Sequence, residues 1–322
     1  MSQKLIIDAD PGIGDALAIA IALADPELDV IALTAVGGTV SAVQAGRNLQ
    51  ALVEALDPPK WPRFGQAEGA QRMVEAEAAE PSPEWQTLQR LLHGQQGLGD
   101  WEVAVADLHH PREAAKLMTE LVREYPDEIT LLTLGPLSNV ALAADRDSSF
   151  LGGLRRLVCL AGAMSTEGNV TPVAEFNVFH HPEAARVVLR SPTMKWVVPN
   201  DVSNKAMLTF DQFDRLELSQ ASPCGSLLRQ MLSFALRAHR QHMGVEGIWL
   251  PEITALAAVS QSRLFKRTSY SVDVETEGNL TRGMTVFDRR QLRTSHNNVE
   301  VLLEVDTQGV IDYFHQNLRK IG

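Results

Sequence analysis

Short apolar, β-branched segments alternate along the chain with longer segments whose apolar residues recur at helical spacing. The short segments predict buried strands at 5–8, 29–35, 129–134, 157–161 and 196–199. The longer segments predict helices near 15–24, 41–56, 112–125, 137–144, 181–190, 223–242 and 253–260. This alternation predicts an α/β fold with a mostly parallel sheet and helices on both of its faces.

Two segments depart from this alternation. Residues 270–275 and 284–287 flank a turn that ends at Gly283, which predicts an antiparallel hairpin. Residues 66–84 are rich in Glu and Pro, and we predict a solvated excursion there because strand and helix patterns resume on both sides. The chain has no internal repeat, and residues 1–322 are predicted to form a single domain.

The composition narrows the class of protein. No stretch of 18 apolar residues occurs and a strand pattern begins near residue 5, so we expect neither a membrane span nor a signal peptide and predict a cytoplasmic protein. A net charge of −11 argues against nucleic acid as a partner but admits a small neutral ligand. Cys159 and Cys224 are predicted to be buried or incidental thiols rather than a disulfide.

The densest chemical signal is an acidic turn between the first predicted strand and the first helix. Asp8, Asp10 and Asp15 lie within eight residues of one another. Carboxylates this close repel unless a cation or hydrogen-bond donors offset their charge. Oxygen ligands without Cys or His favour Ca²⁺ or Mg²⁺ over zinc. The alternative interpretation is an ordinary helix start with solvated acids.

The turn at 8–16 resembles the signature of the inosine-uridine-preferring nucleoside hydrolase family, usually Asp-Thr-Asp-Pro-Gly-x-Asp-Asp-Ala. Further blocks similar to that family follow in order at 36–40, 47–48, 93–99, 135–139, 168–177, 182–185 and 281–288. The resemblance extends over nearly the whole chain and implies a Rossmann-like nucleoside hydrolase fold. It also implies an enzyme that hydrolyses the N-glycosidic bond of ribonucleosides or a related N-riboside, and a homodimer or homotetramer.

The same resemblance implies a set of calcium ligands. Asp10 and Asp15 match carboxylate ligands, and Leu134 matches a position that supplies a backbone carbonyl. Glu252 aligns with the remaining ligand, an Asp in the family, and keeps the oxygen donor one methylene further out. A bound divalent ion lowers the pKa of its water and can hold vicinal sugar hydroxyls.

Substrate-binding residues are also implied by the resemblance. Asn169, Glu175 and Asn177 match positions that hydrogen-bond to the ribose hydroxyls, and we expect Phe176 between them to face the opposite side of an extended segment. The full set implied to contact substrate is Thr39, Asn169, Glu175, Asn177 and Trp249.

The departing base is expected near a histidine. His93 matches a family position beside the base, where it could donate a proton near neutral pH. Trp249 and Trp101 are candidates to stack on the base, with core or surface packing as the alternative.

Besides Glu252, three positions depart from the family pattern in ways that bear on mechanism. Gly14 replaces the carboxylate that serves as general base towards the attacking water, Thr39 replaces an amide side chain, and Pro251 replaces a His. A general base is typically worth a factor of roughly 10² to 10⁴ in rate, so its loss should slow hydrolysis severely unless metal-bound hydroxide or Glu252 substitutes for it. If the missing base limits the rate, Gly14→Asp should raise turnover. The alternative function is a weak or inactive homologue that binds a ribosyl ligand as a sensor or scavenger.

Overall fold

The computed structural model of the protein describes residues 2–66, 79–105, 112–218, 222–290 and 296–321. Within these ranges the strands are β1 (Gln3–Ala9), β2 (Leu28–Ala35), β3 (Arg63–Gln66), β4 (Arg112–Glu113), β5 (Ile129–Thr133), β6 (Arg156–Leu160), β7 (Lys195–Val198), β8 (Met207–Thr209), β9 (Gly247–Trp249), β10 (Phe265–Val274), β11 (Thr285–Asp288) and β12 (Val299–Val305). The helices are α1 (Ile13–Ala24), α2 (Ala42–Leu56), α3 (Pro83–His93), α4 (Ala114–Glu124), α5 (Ser138–Arg146), α6 (Phe176–His180), α7 (Pro182–Arg190), α8 (Asn200–Ser203), α9 (Phe210–Asp214), α10 (Pro223–Met243), α11 (Pro251–Ser260) and α12 (Thr307–Leu318).

One large sheet organises these elements. In the described part of the chain its strand order is β11-β10-β12-β7-β6-β5-β1-β2-β3-β4. All neighbours from β12 to β4 pair in parallel, whereas β10 is antiparallel to both β12 and β11. Strands β8 and β9 form a separate antiparallel pair. The predicted α/β fold with a mostly parallel sheet is confirmed.

Side chains along β1 show that helices cover both faces of the sheet. Leu5 and Ile7 belong to a core cluster that includes residues of α1, α10, α11 and α12. Ile6 belongs to a second cluster, which includes residues of α4, α5 and α7. Because successive side chains of a strand point to opposite faces, the two clusters are the two faces of the sheet.

Several local predictions are confirmed and others are refined. The hairpin forms as predicted, since Val274 lies opposite Thr285 and Ser271 opposite Asp288. The helix predicted near 112–125 begins two residues later, because 112–113 pair with β3 as β4. Of the excursion predicted at 66–84, residues 67–78 lie outside the described residues, and α3 begins at Pro83. Both cysteines are free. None of the described helices has the length and apolar character needed to cross a membrane.

The carboxyl ends of the central parallel strands lie at one edge of the sheet. Asp10 directly follows β1, and Leu134 directly follows β5, its neighbour in the sheet. Open parallel sheets bind ligands in the crevice beyond these strand ends. The fold therefore brings the acidic turn and the predicted carbonyl ligand to the place where a ligand site is expected.

Candidate functional site

A cavity of about 1000 Å³ opens at this edge of the sheet. Ten residues predicted for the site line it: Asp10, Asp15, Thr39, His93, Leu134, Asn169, Glu175, Asn177, Trp249 and Glu252. Trp101 lines a different groove, beside Phe234 of α10, so it is not a base-stacking residue of this cavity.

Asp10 is held between two glycines. Its Oδ2 accepts a hydrogen bond from the backbone N–H of Thr39 at 2.5 Å. A Cβ at Gly38 would lie 2.2 Å from Oδ2, and a Cβ at Gly135 would lie 2.4 Å from Oδ1. These glycines therefore leave the space that the carboxylate fills. Burial raises the pKa of Asp10 to about 6.

Asp15 lies in the first turn of α1 and is buried. Its Oδ2 accepts from the backbone N–H of Gly12 at 3.1 Å, whereas Oδ1 has no hydrogen-bond partner among the described residues. Burial, and then the charges of Asp10 and Glu252, raise the pKa of Asp15 well above its usual value. A buried acceptor without a donor, beside like charges, is an arrangement that a bound cation would relieve.

Glu252 is the second residue of α11, after Pro251, and is partly exposed to the cavity. Burial, with a contribution from the charge of Asp10, raises the pKa of Glu252 to about 7. Within the described ranges, no three Asp, Glu, His or Cys side chains converge as a complete metal site. Asp10, Asp15 and the Leu134 carbonyl nevertheless fit a hard cation, because they offer oxygen donors only and one Asp15 oxygen is unpartnered.

Asn177 and Glu175 are buried and bonded to the backbone around the cavity. The Asn177 amide donates to the carbonyl of Leu134 at 2.7 Å and to that of Leu160 at 2.9 Å, which links the ends of β5 and β6. Glu175 caps α6 and accepts from the backbone N–H groups of Asn177 and Gly162, each at 2.9 Å. Burial raises the pKa of Glu175 to about 7. These two residues therefore shape the site as well as line it.

The expectation for Phe176 was wrong. Residues 176–180 form α6 rather than an extended segment, and the Phe176 ring lines the same cavity as its neighbours. It stacks on Trp85 of α3 with ring centroids 4.7 Å apart. The Asn169 Oδ1 accepts from the backbone N–H of Phe176 at 2.8 Å, and the Trp85 Nε1–H donates to the Asn169 carbonyl at 3.1 Å. The stacked rings of Phe176 and Trp85 form an aromatic wall of the cavity that was not predicted from the sequence.

His93 ends α3, and its Nδ1 accepts from the backbone N–H of Ile13 at 3.3 Å. A neutral imidazole that accepts at Nδ1 carries its proton on Nε2. Burial, and then the charge of His239, lowers the pKa of His93 to about 4. At neutral pH, His93 is therefore a neutral imidazole whose Nε2–H can donate a hydrogen bond.

A second histidine in the cavity escaped sequence reasoning. His239 on α10 donates from Nδ1 to the Ala235 carbonyl at 2.9 Å and meets Trp249 edge-on, with centroids 6.4 Å apart. Ala235, His239 and Met243 all line the cavity at intervals of four residues. That interval marks one face of a helix and was the available signal.

Fold and cavity together define an α/β protein with a carboxylate-lined ligand site at the end of a parallel sheet. A sequence model of the family described as inosine-uridine preferring nucleoside hydrolase matches residues 5–312. Uridine nucleosidase 1 of Arabidopsis thaliana is 36% identical, covering 99% of this chain and 94% of its own. The pyrimidine-specific ribonucleoside hydrolase RihA of Salmonella arizonae is 32% identical over 100% of both chains.

Solved structures agree with this match. A plant nucleoside hydrolase superposes with a TM-score of 0.86 at 29% identity, covering 99% of both chains. A purine-preferring ribonucleoside hydrolase from Gardnerella vaginalis superposes with a TM-score of 0.86 at 25% identity and the same 99% coverage. The chain belongs to the inosine-uridine preferring nucleoside hydrolase family. The predicted family, its fold and the predicted class of enzyme, a hydrolase of N-glycosidic bonds, are confirmed.

Proposed function

We propose that this protein is a calcium-dependent enzyme that hydrolyses the N-glycosidic bond of ribonucleosides or a related N-riboside. Membership of the family supports the hydrolase. Two relatives are named for uridine and for pyrimidine ribonucleosides, and a solved structure is named purine-preferring, so uridine and inosine are the first substrates to test. The observation that carries the calcium proposal is the buried, unpartnered Oδ1 of Asp15.

The proposed calcium ligands are Asp10, Asp15 and the Leu134 carbonyl, which all line the cavity. When bound, the ion supplies acidity to a water molecule and a template for vicinal sugar hydroxyls. Glu252 was predicted both as a ligand and as a catalytic residue, and the charges of Glu252, Asp10 and Asp15 all interact.

Hydrogen bonds already made within the protein define what each residue offers to ribose. Both amide hydrogens of Asn177 are used by carbonyls, so its Oδ1 is the atom available to accept from a sugar hydroxyl. The Oδ1 of Asn169 is used, so its amide is the group available to donate. Thr39 donates its backbone N–H and its hydroxyl to Asp10, so its proposed contribution is to hold that carboxylate in position.

The base is proposed to leave on the side of the cavity that holds His93, His239 and Trp249. The Nε2–H of His93 would donate a hydrogen bond to the base as negative charge develops on it. The Trp249 ring and the apolar part of this wall would exclude water from the base.

The test is hydrolysis of uridine and inosine before and after removal of divalent ions with EGTA, combined with calcium titration by calorimetry. We expect one calcium ion per chain, loss of activity with the chelator, and recovery on calcium addition. If no stoichiometric divalent ion binds, the calcium proposal is wrong. Binding of nucleoside without turnover in the calcium-loaded protein would favour the sensor or scavenger instead.

The cytoplasmic location, the exclusion of nucleic acid and the homodimeric or homotetrameric state stay predictions.

A further inference from the structure

Gly14 has no backbone reason to be glycine. It is the second residue of α1, and its φ is not among the positive values that favour glycine. A glycine inside a helix is destabilising relative to alanine, because it has more conformational freedom to lose. Something other than the local backbone must therefore account for glycine at this position.

The space above Gly14 supplies the reason. A Cβ at this position would lie 2.1 Å from Oε2, 2.4 Å from Cδ and 2.7 Å from Oε1 of Glu252. These are the three atoms nearest to that Cβ, and they form a single carboxyl group. The carboxylate of Glu252 thus fills the volume that any side chain at position 14 would need.

This placement also bears on the role of Glu252. Its carboxyl group lies against the first turn of α1, where its oxygens and Cδ are the atoms nearest to a Cβ at Gly14. Glu252 lines the cavity and is partly exposed to it. The carboxylate is therefore available to a water molecule in the cavity.

We infer that Gly14 and Glu252 act as one unit: the glycine admits the Glu252 carboxylate to the start of α1, and Glu252 serves there as the general base rather than as a calcium ligand. This inference rests on the proposed hydrolysis. The water oxygen bonds to the anomeric carbon, and the C–N bond breaks with its electron pair leaving on the base. The water proton passes to Glu252, which returns it to solvent, and the base takes up a proton from solvent.

The pairing reverses the expectation for Gly14→Asp. An Asp at position 14 would enter the volume that Glu252 occupies, so the single substitution should displace Glu252 and lower turnover. Combining Gly14→Asp with Glu252→Asp should relieve this clash, because the side chain at position 252 becomes one methylene shorter. We expect the double variant to have a higher kcat than Gly14→Asp alone.

A double-mutant cycle with Gly14→Ala tests the steric part, because the added methyl group brings no charge. With uridine and saturating calcium, Gly14→Ala should lower kcat by roughly 100-fold, in the range of a lost general base, while KM changes little. In the Glu252→Asp background the same change should cost no more than about twofold, as expected once the two groups no longer touch.

Calcium binding measured by calorimetry tests the chemical role without relying on activity. Glu252→Gln should lower kcat by roughly 10²-fold or more, while the calcium Kd weakens by less than about tenfold. Asp15→Asn, which removes a proposed ligand, should weaken calcium binding far more.

The matched control for Gly14→Ala is Gly46→Ala in α2. A Cβ at Gly46 would also meet the end of a flexible side chain, 2.9 Å from Gln66 Cδ, but outside the cavity. We expect its kcat to equal that of the wild type.

Two outcomes would overturn the inference: equal losses for Gly14→Ala in both backgrounds, or loss of calcium binding in Glu252→Gln. An inactive wild type would instead refute the proposed function. Thermal unfolding would then still test the pair, because Gly14→Ala should raise the Tm less when Glu252 is present than in Glu252→Ala. An equal Tm shift in the two backgrounds would rule out the steric pair.

Discussion

The two ends of α1 each carry a buried aspartate, but the surroundings of these residues differ. Beyond the C-terminal end, Asp25 accepts hydrogen bonds from the Ser260 hydroxyl at 2.7 Å, the Tyr313 hydroxyl at 2.9 Å and the Glu27 backbone N–H at 3.0 Å. In the first turn, Asp15 accepts from the Gly12 backbone, and its Oδ1 has no donor among the described residues.

This difference separates a structural acid from a functional one. Buried polar groups are normally satisfied, so an aspartate with three donors, two of them from distant helices, fastens those helices together. An aspartate that is equally buried but has one carboxylate oxygen without a donor is not fully satisfied by the described residues. Asp25, which is satisfied, joins the end of α1 to α11 and α12, whereas Asp15 lines the cavity.

Replacing Asp15 should have the largest effect. We expect Asp15→Asn to remove uridine hydrolysis and the stabilisation by calcium, which would be about 2.7 kcal/mol at a calcium concentration of 100 times Kd. The Tm without calcium should stay the same or rise, because a repulsive charge is lost. Calorimetry and thermal unfolding check both effects. Unchanged calcium affinity in this variant would contradict the assignment of Asp15 as a ligand.

Replacing Asp25 should affect stability alone. Asp25→Ala leaves the Tyr313 and Ser260 hydroxyls without their acceptor, so we expect the free energy of unfolding to fall by about 1–3 kcal/mol. Urea unfolding measures the loss. In the folded variant, kcat and the calcium Kd should equal those of the wild type, and a selective loss of either would remove the contrast between the two ends of α1.

The pH dependence of stability should depend on calcium. Burial raises the pKa of Asp10 to about 6 and those of Glu175 and Glu252 to about 7. Without calcium, the folded protein therefore holds protons that the unfolded chain has released. The resulting stability is present below the unfolded pKa values, near 4, and is lost as the pH rises towards 7.

Thermal unfolding across this range checks the prediction. We expect a lower Tm at neutral pH than in mild acid when EGTA is present. Saturating calcium should reverse this trend, because the ion binds the ionised carboxylates. A calcium-free Tm that rises with pH would contradict the arrangement of buried acids described above.

The smallest expected effect is at Asn177, a proposed ribose-binding residue. Asn177→Ala removes the hydrogen bonds to the Leu134 and Leu160 carbonyls, so it should cost about 1–2 kcal/mol of stability. It also removes an acceptor for ribose, so KM for uridine should rise by roughly fivefold, equivalent to about 1 kcal/mol. Urea unfolding and steady-state kinetics separate the two losses. A change in stability without a change in KM would make Asn177 purely structural.

Sequence patterns predicted the central strands well and the peripheral strands poorly. Strands β1, β2, β5, β6 and β7 are apolar runs covered on both faces, so their composition alone marks them. Strands β3 and β4 have four and two residues and exist through pairing with β2 and with each other. Strand β12 was also missed, because exposed Glu304 and partly exposed Glu300 interrupt its apolar run.

By itself, the sequence determined the class of fold and the acids at the end of the first strand. Both depend on neighbours along the chain: periods of two or 3.6 residues, and three aspartates within eight residues. Only the tertiary structure decided that Glu252 lies against Gly14, that His239 joins His93, and that Asp25 is satisfied while Asp15 is not. Such contacts join residues far apart in sequence, and they depend on how the helices pack over the sheet, which no local pattern encodes.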